Sequence, residues 1–293
     1  MRADIDLHLH SNKSSDGEYS PSELVKMAYE VGLKAVAIAD HDTVAAYPEA
    51  LEAGKKWGIE VIPSVEITTI YEEREFHLLL PFVDWRSSIV QDLIQEVDLR
   101  RRREAKARVE KLRGLGFDLT WEEVVQATAP FPPLGVTIAQ ILLKKKNLNL
   151  DPRLKKYYKE GNRARAPYLF YCDFFMEGQP AYVPRQNINL LEVLEMAPAT
   201  GSVPVLAHPG AYFQRTTRED LVLFRSKGLE GLEVFTSYHN DEQTQFYGEL
   251  ADELDLVPTT GSDFHGYYKP HVQLGVIKGV GYESVLKLKQ RKP

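Results

Sequence analysis

The chain has 293 residues, 43% apolar and 27% charged, so it can bury a sizeable core and lies far from the composition of a disordered protein. Its net charge of -6 supplies no global basic field for nucleic acid or anionic lipid, so any polyanion must be met locally. The single cysteine, Cys172, excludes an intrachain disulfide and a thiolate cage; with no secretion signal in Met1 to Asp6 and no run of about 18 apolar residues, the expected location is the cytoplasm.

From Ile5 onward, short apolar runs alternate with helical patterns, the signature of βα units around a mainly parallel sheet. The first strands are predicted at Ile5 to Leu9, Ala35 to Ala39 and Glu60 to Val65. Ser20-Pro21-Ser22-Glu23 reads as a helix start with Ser20 as N-cap, and Gly32 ends that helix. A second helical stretch, Val44 to Trp57, closes on Gly58, and Phe76 to Val83 resembles another buried strand. From Ile89 to Arg185 the strand rhythm gives way to a largely helical insertion. Its basic run Arg100 to Arg103 sits among Glu96, Glu104 and Glu110, which favours a solvated helix face over a nucleic-acid patch. The tyrosines and phenylalanines between Tyr157 and Phe175 are read as helix core, with base stacking as the alternative. Strands resume at Val203 to Ala207, Gly231 to Phe235 and Val257 to Gly261, with helices over Thr217 to Lys227 and Asp241 to Leu254.

Most of the histidines fall at or just beyond the ends of these apolar runs, where a βα barrel presents its reactive groups. In Asp6-Leu7-His8-Leu9-His10 the two imidazoles are two residues apart on a strand and share a face, an arrangement suited to one metal ion. The same spacing returns in Asp263-Phe264-His265. Between these pairs lie Asp40-His41-Asp42, where flanking carboxylates can orient the imidazole, then Glu66, His77 and His208. Each residue alone has an ordinary structural reading. Burying all of them without a cation would leave many polar groups unsatisfied. Histidines with Asp16, Glu66 and Asp263 exceed the needs of one ion; two or three divalent Mn, Zn or Fe ions fit the donor set, and their surplus charge would attract a phosphate dianion.

These motifs, namely His8-Leu9-His10, Ser15-Asp16-Gly17, Asp40-His41-Asp42-Thr43, Val65-Glu66-Ile67, His77, Ala207-His208-Pro209 and Ser262-Asp263-Phe264-His265-Gly266, resemble the polymerase and histidinol phosphatase, or PHP, family. Gly231 to Phe235, the His239 segment and Tyr182-Val183-Pro184-Arg185 are similar to its stand-alone bacterial branch acting on nucleotides, nucleoside 3',5'-bisphosphates or short RNA ends. The resemblance implies a distorted seven-stranded βα barrel, TIM-like, over residues 1–88 and 186–293, with 89–185 as a mainly helical cap. It implies His8, His10, Glu66 and Asp263 around a first metal, Glu66, His77 and His208 around a second, and Asp16, His41 and His265 around a third. Arg185 and His239 would touch the substrate phosphate; the alternatives are an insertion anchor for Arg185 and a surface residue for His239, which is also one option for the leaving-group acid.

The implied activity is metal-dependent phosphoesterase chemistry, with a hydroxide bridging two metals and Glu66 and Asp263 central to catalysis. A cyclic phosphodiesterase acting on a ribose cyclic phosphate, a histidinol-phosphate-type phosphatase, a 5'-3' exoribonuclease, an amidohydrolase-type enzyme and a non-catalytic module are the alternatives. The expected partner is a small phosphorylated substrate or a short RNA end, with no membrane and no protein partner. One departure stands out: the branch's Gly-Arg-Pro-His is Gly135-Val136-Thr137-Ile138 here, which removes an arginine and a histidine from the substrate pocket.

Overall fold

The computed structural model describes residues 3–145 and 151–293. The chain divides into two compact units, Met1–Ile94 with Ile188–Pro293, and Gln95–Asn187. In the first, β1 (Ile5–Leu9), β2 (Ala35–Ile38) and β3 (Glu60–Val61) form a parallel sheet. Its crossovers are α1 (Pro21–Glu30) and α2 (Tyr47–Trp57), since parallel neighbours need a long connection. The α1 start is the capping box read from the sequence: the Ser20 amide donates to Glu23, and the Glu23 amide to the Ser20 hydroxyl. Gly58 ends α2 in the left-handed conformation, φ 71°, which glycine adopts without a steric penalty.

The second sheet follows the order β6-β4-β5-β7-β8-β9. Its strands are β4 (Glu66–Tyr71), β5 (Arg74–Leu79), β6 (Ile188–Asn189), β7 (Val205–Leu206), β8 (Gly231–Thr236) and β9 (Val257–Gly261). β7, β8 and β9 are parallel, linked by α8 (Arg218–Ser226) and α9 (Asp241–Glu253). The mainly parallel expectation fails at β4 and β5, which form an antiparallel hairpin, with β5 also antiparallel to β7. The hairpin turns on Glu72 and Glu73, both at positive φ (47° and 63°), with no glycine or asparagine to mark the turn in the sequence. Isolated parallel bridges join the two sheets at Leu9 with Phe264 and at His41 with Glu66. α7 (Leu190–Met196) and α10 (Tyr282–Gln290) complete this unit. Ile5, Leu7, Ala35, Ala37, Val205 and Val257 pack in one buried core, which leaves the alternate face of β1 to Asp6 and His8, with His10 just beyond its end.

The second unit is helical among its described residues. It holds most of α3 (Ser88–Gly114), together with α4 (Trp121–Thr128), α5 (Gly135–Leu143) and α6 (Ala166–Phe174). Its core includes Val109, Leu112, Ile138, Leu142, Tyr157 and Phe170, so most of the aromatic group is packing material; Tyr168 stays about half exposed. Arg100 pairs with Glu96 and Arg102 with Asp98, each one helical turn apart on a partly exposed face, whereas the Arg108–Glu104 pair is buried. Gly135 opens α5 where a Cβ would lie 2.8 Å from the Tyr171 ring. Ile138, at the position of the branch's histidine, is buried in this core.

Candidate metal centre

His8 projects from β1 and His10 directly follows its end, His77 projects from β5, and Glu66 is the first residue of β4. His41, His208, Asp263 and His265 follow the ends of β2, β7 and β9, and Asp16 lies in the loop after β1. Strand ends release side chains from the ladder while the ladder still fixes their origins, and here these origins converge. Three groups of side chains each place one ligand atom per residue within 4.8 Å of the others: His8, His10, Glu66 and Asp263; His41, Glu66 and His77; and His10, Asp16, His41 and His265.

Glu66 sits at the centre, fully buried, and its two oxygens face different partners. Oε2 lies 3.2 Å from His8 Nε2, 3.2 Å from His10 Nε2 and 3.1 Å from His41 Nδ1. Oε1 lies 2.8 Å from His77 Nδ1 and 3.2 Å from His208 Nε2. Asp263 Oδ1 is 3.0 Å from His10 Nε2 and 3.4 Å from His8 Nε2. Asp16 Oδ2 lies 3.4 Å from His265 Nε2 and 3.6 Å from His41 Nε2. His208 and Asp263 both hold positive φ (26° and 57°), so local backbone strain accompanies their placement in the cluster.

The electrostatics are those of a cation site. Burial alone would raise the carboxyls of Glu66 and Asp263, but the surrounding imidazoles, joined at Asp263 by Lys269, hold both well below the usual carboxylate range. Burial opposes charge on His10 and His77, yet Glu66 with Asp263 or Glu75 lifts them to about 9 and about 10. His41 is pushed down to about 3, chiefly by burial. Glu66 Oε2 and Asp263 Oδ1 accept no hydrogen bond although buried. Leaving carboxylate oxygens in that state is costly, and divalent ions among these nitrogen and oxygen donors would remove the deficit.

A layer of side chains behind the cluster orients it. The Nδ1–H of His8 donates to Glu233 Oε1 at 3.0 Å, which leaves the Nε2 lone pair facing the centre. Glu233 Oε2 accepts from the His208 amide at 2.8 Å. The Nδ1–H of His265 donates to the Asp263 carbonyl at 2.9 Å, again freeing Nε2. Beneath β1, Asp6 accepts from the Ser262 and Gly275 amides. Of the carboxylates beside His41 in sequence, Asp40 is held by Ser11 and Ser14, and Asp42 accepts from the Thr68 amide. Glu233, Asp6 and Lys269 escaped the sequence reading. Glu233 and Asp6 had a signal, a lone carboxylate inside an apolar strand run.

Residues 6–257 match the family described as PHP domain. The chain belongs to the PHP family. It is similar to a Haemophilus influenzae 5'-3' exoribonuclease, 30% identical over 267 residues that cover 90% of this chain and 91% of the relative. It is also similar to a 3',5'-nucleoside bisphosphate phosphatase of Chromobacterium violaceum, 26% identical over 265 residues covering 90% and 87%. Among solved structures, a candidate metal-dependent phosphoesterase from Bifidobacterium adolescentis superposes with a TM-score of 0.76 at 29% identity, over 99% of this chain and 96% of that one. This PHP protein is a metal-dependent phosphoesterase with His, Glu and Asp clusters able to bind metal ions.

Two expected substrate contacts fall outside those clusters. His239 accepts from the Gly210 amide through Nε2 (2.9 Å) and donates from Nδ1 to the Val234 carbonyl (2.8 Å), so both ring nitrogens are engaged by backbone groups. Arg185 belongs to the helical unit, where the next residue, Gln186, donates its amide to Glu104. Among the described residues, no helix is long and apolar enough to cross a membrane.

Proposed function

We propose that this chain hydrolyses a small phosphate ester of the nucleotide or nucleoside 3',5'-bisphosphate type at a site for three divalent ions, Mn, Zn or Fe. His8, His10, Glu66 and Asp263 hold the first ion, Glu66, His77 and His208 the second, and Asp16, His41 and His265 the third. The observation that carries this reading is the division of labour on Glu66: one oxygen faces His8, His10 and His41, the other His77 and His208, as a carboxylate shared between cations requires. Bound ions supply charge stabilisation at phosphorus and activation of water near neutral pH. The chain's own residues set the arrangement. Glu233 holds the His8 proton on Nδ1, and the Asp263 carbonyl does the same for His265, so that Nε2 of each is a ready donor. Asp16, Glu66 and Asp263 offset only part of the cationic charge, which leaves a net attraction for a phosphate dianion.

The test is phosphate release from AMP, a nucleoside 3',5'-bisphosphate, a ribose 1,2-cyclic phosphate and histidinol phosphate, with metal content measured in parallel. The expected outcome is turnover of the nucleotide substrates, and a loss of at least about 100-fold in Glu66→Ala and Asp263→Ala with lowered metal content. Wild-type rates in both variants would overturn the mechanism. Preference for the cyclic phosphate or histidinol phosphate would move the substrate to those classes.

A second reading, action on short RNA ends, is favoured by a charge asymmetry. Residues 95–187 carry 18 Lys and Arg against 11 Asp and Glu, whereas the rest of the chain carries 18 against 31. A basic helical unit on an acidic enzyme suits a substrate longer than one nucleotide. Under this reading, KM for a 5'-phosphorylated RNA oligomer falls with length and rises steeply with salt, while KM for AMP changes little.

A further inference from the structure

Lys269 enters the metal centre from the loop after β9, just beyond a short 3-10 turn over Gly266–Tyr268. Its ammonium donates to Asp263 Oδ2 and, at 2.8 Å, to the Tyr238 hydroxyl. Asp263 uses its other oxygen toward His8 and His10. Among the described residues, no other lysine or arginine pairs with Asp16, Glu66 or Asp263. The Tyr238 ring lies 4.9 Å from that of His208, so the tyrosine touches the cluster at His208 and the lysine touches it at Asp263. A lysine has three N–H donors. Two are engaged here, and the side chain stays 24% exposed, so a third donor can meet a bound molecule.

A phosphoester bound at the centre needs fixed cationic donors on its nonbridging oxygens. Val136 stands where the related branch has an arginine, and both His239 nitrogens are held by backbone. We propose that Lys269 fills this role, binding a nonbridging phosphoryl oxygen of the substrate, with Tyr238 as the residue that positions the ammonium. The inference rests on the phosphoesterase reading. It assigns the phosphate contact to the β9 loop of the catalytic unit, so the core of substrate recognition does not depend on the lost arginine.

The experiment uses the full chain reconstituted with Mn or Zn, and inorganic phosphate as the probe. Metal content is measured by elemental analysis, and phosphate affinity by calorimetry and as the product-inhibition constant. In Lys269→Met and Lys269→Gln, metal content per chain is expected to stay at the wild-type value while phosphate binding weakens roughly 10- to 100-fold. Lys269→Arg recovers part of the loss, and Tyr238→Phe weakens phosphate binding by a smaller factor at unchanged metal content. The glutamine variant keeps hydrogen-bonding capacity without charge and serves if the methionine variant does not fold. Phosphate affinity equal to wild type at equal metal occupancy overturns the proposal. So does a loss of metal with unchanged phosphate affinity per occupied site, which would make Lys269 only a holder of Asp263. Failure of the underlying reading is separable: the unmodified protein would then show no metal-dependent phosphate binding.

Discussion

At the scale of single residues, the centre depends on side chains that never face its middle. Glu233 fixes both the His8 ring and the His208 amide, so Glu233→Ala should weaken metal binding about 10- to 100-fold while the fold persists. Metal titration of the variant checks this, and wild-type affinity would show that His8 is oriented otherwise. Gly261 is glycine for a local reason: a Cβ there would lie 2.1 Å from Glu233 Oε1 and 2.5 Å from His8 Cβ. Gly261→Ala should therefore displace that pair, losing about 1–3 kcal/mol of stability to overpacking and most of the bound metal. A melting curve and metal content measured on one preparation would test both halves.

At the scale of elements, two features carry measurable energy. Asp220 caps α8 and receives a two-pronged contact from Arg74 of β5, at 2.7 and 2.6 Å. Burial pushes the Asp220 carboxyl up, but Arg74 and the Thr217 cap outweigh it and hold it below its ordinary value. A lowered folded-state pKa means stability that is present at neutral pH and lost as pH falls below the ordinary aspartate value of about 3.9. Asp220→Asn should lower stability by about 1–3 kcal/mol at pH 7, and the gap should narrow in acid. Denaturant midpoints at pH 7 and pH 3 give the comparison. The β4–β5 turn is the second feature. Glu72 and Glu73 occupy left-handed conformations that asparagine and glycine tolerate better, so the double change Glu72→Asn with Glu73→Gly should raise stability by roughly 1 kcal/mol. Without an Asn-Gly signal at this turn, the sequence after Glu66 shows no hairpin, and β5 reads as one more strand of a mainly parallel series although it pairs antiparallel with β4.

At the scale of the whole molecule, metal binding and folding are linked. Glu66 and Asp263 are buried carboxylates with oxygens that lack hydrogen bonds, so ions that bind only the folded chain should stabilise it by about 2.7 kcal/mol at a free concentration 100 times Kd. Chelated protein should melt lower than protein with added Mn or Zn, and Glu66→Ala should narrow the difference. An unchanged melting temperature would argue against ions in the site. Much of this organisation is legible in the sequence. The sequence places β1 and β9 to the residue, Ser20 and Glu23 mark the α1 cap, and ligand types at strand ends point to the gathering of His8, Glu66, His208 and Asp263.

What the chain determined by itself is its chemistry: the donor types, their place at strand ends and the caps that start the helices, because these are local and periodic properties of neighbouring residues. Which oxygen of Glu66 serves which imidazole, that Glu233 rather than Asp40 backs a histidine, that His239 is spent on backbone, and that Lys269 reaches Asp263 were decided only by tertiary structure. Those relations join positions up to 225 residues apart, as His8 and Glu233 are, and no local pattern encodes the distance or angle at which two such side chains meet.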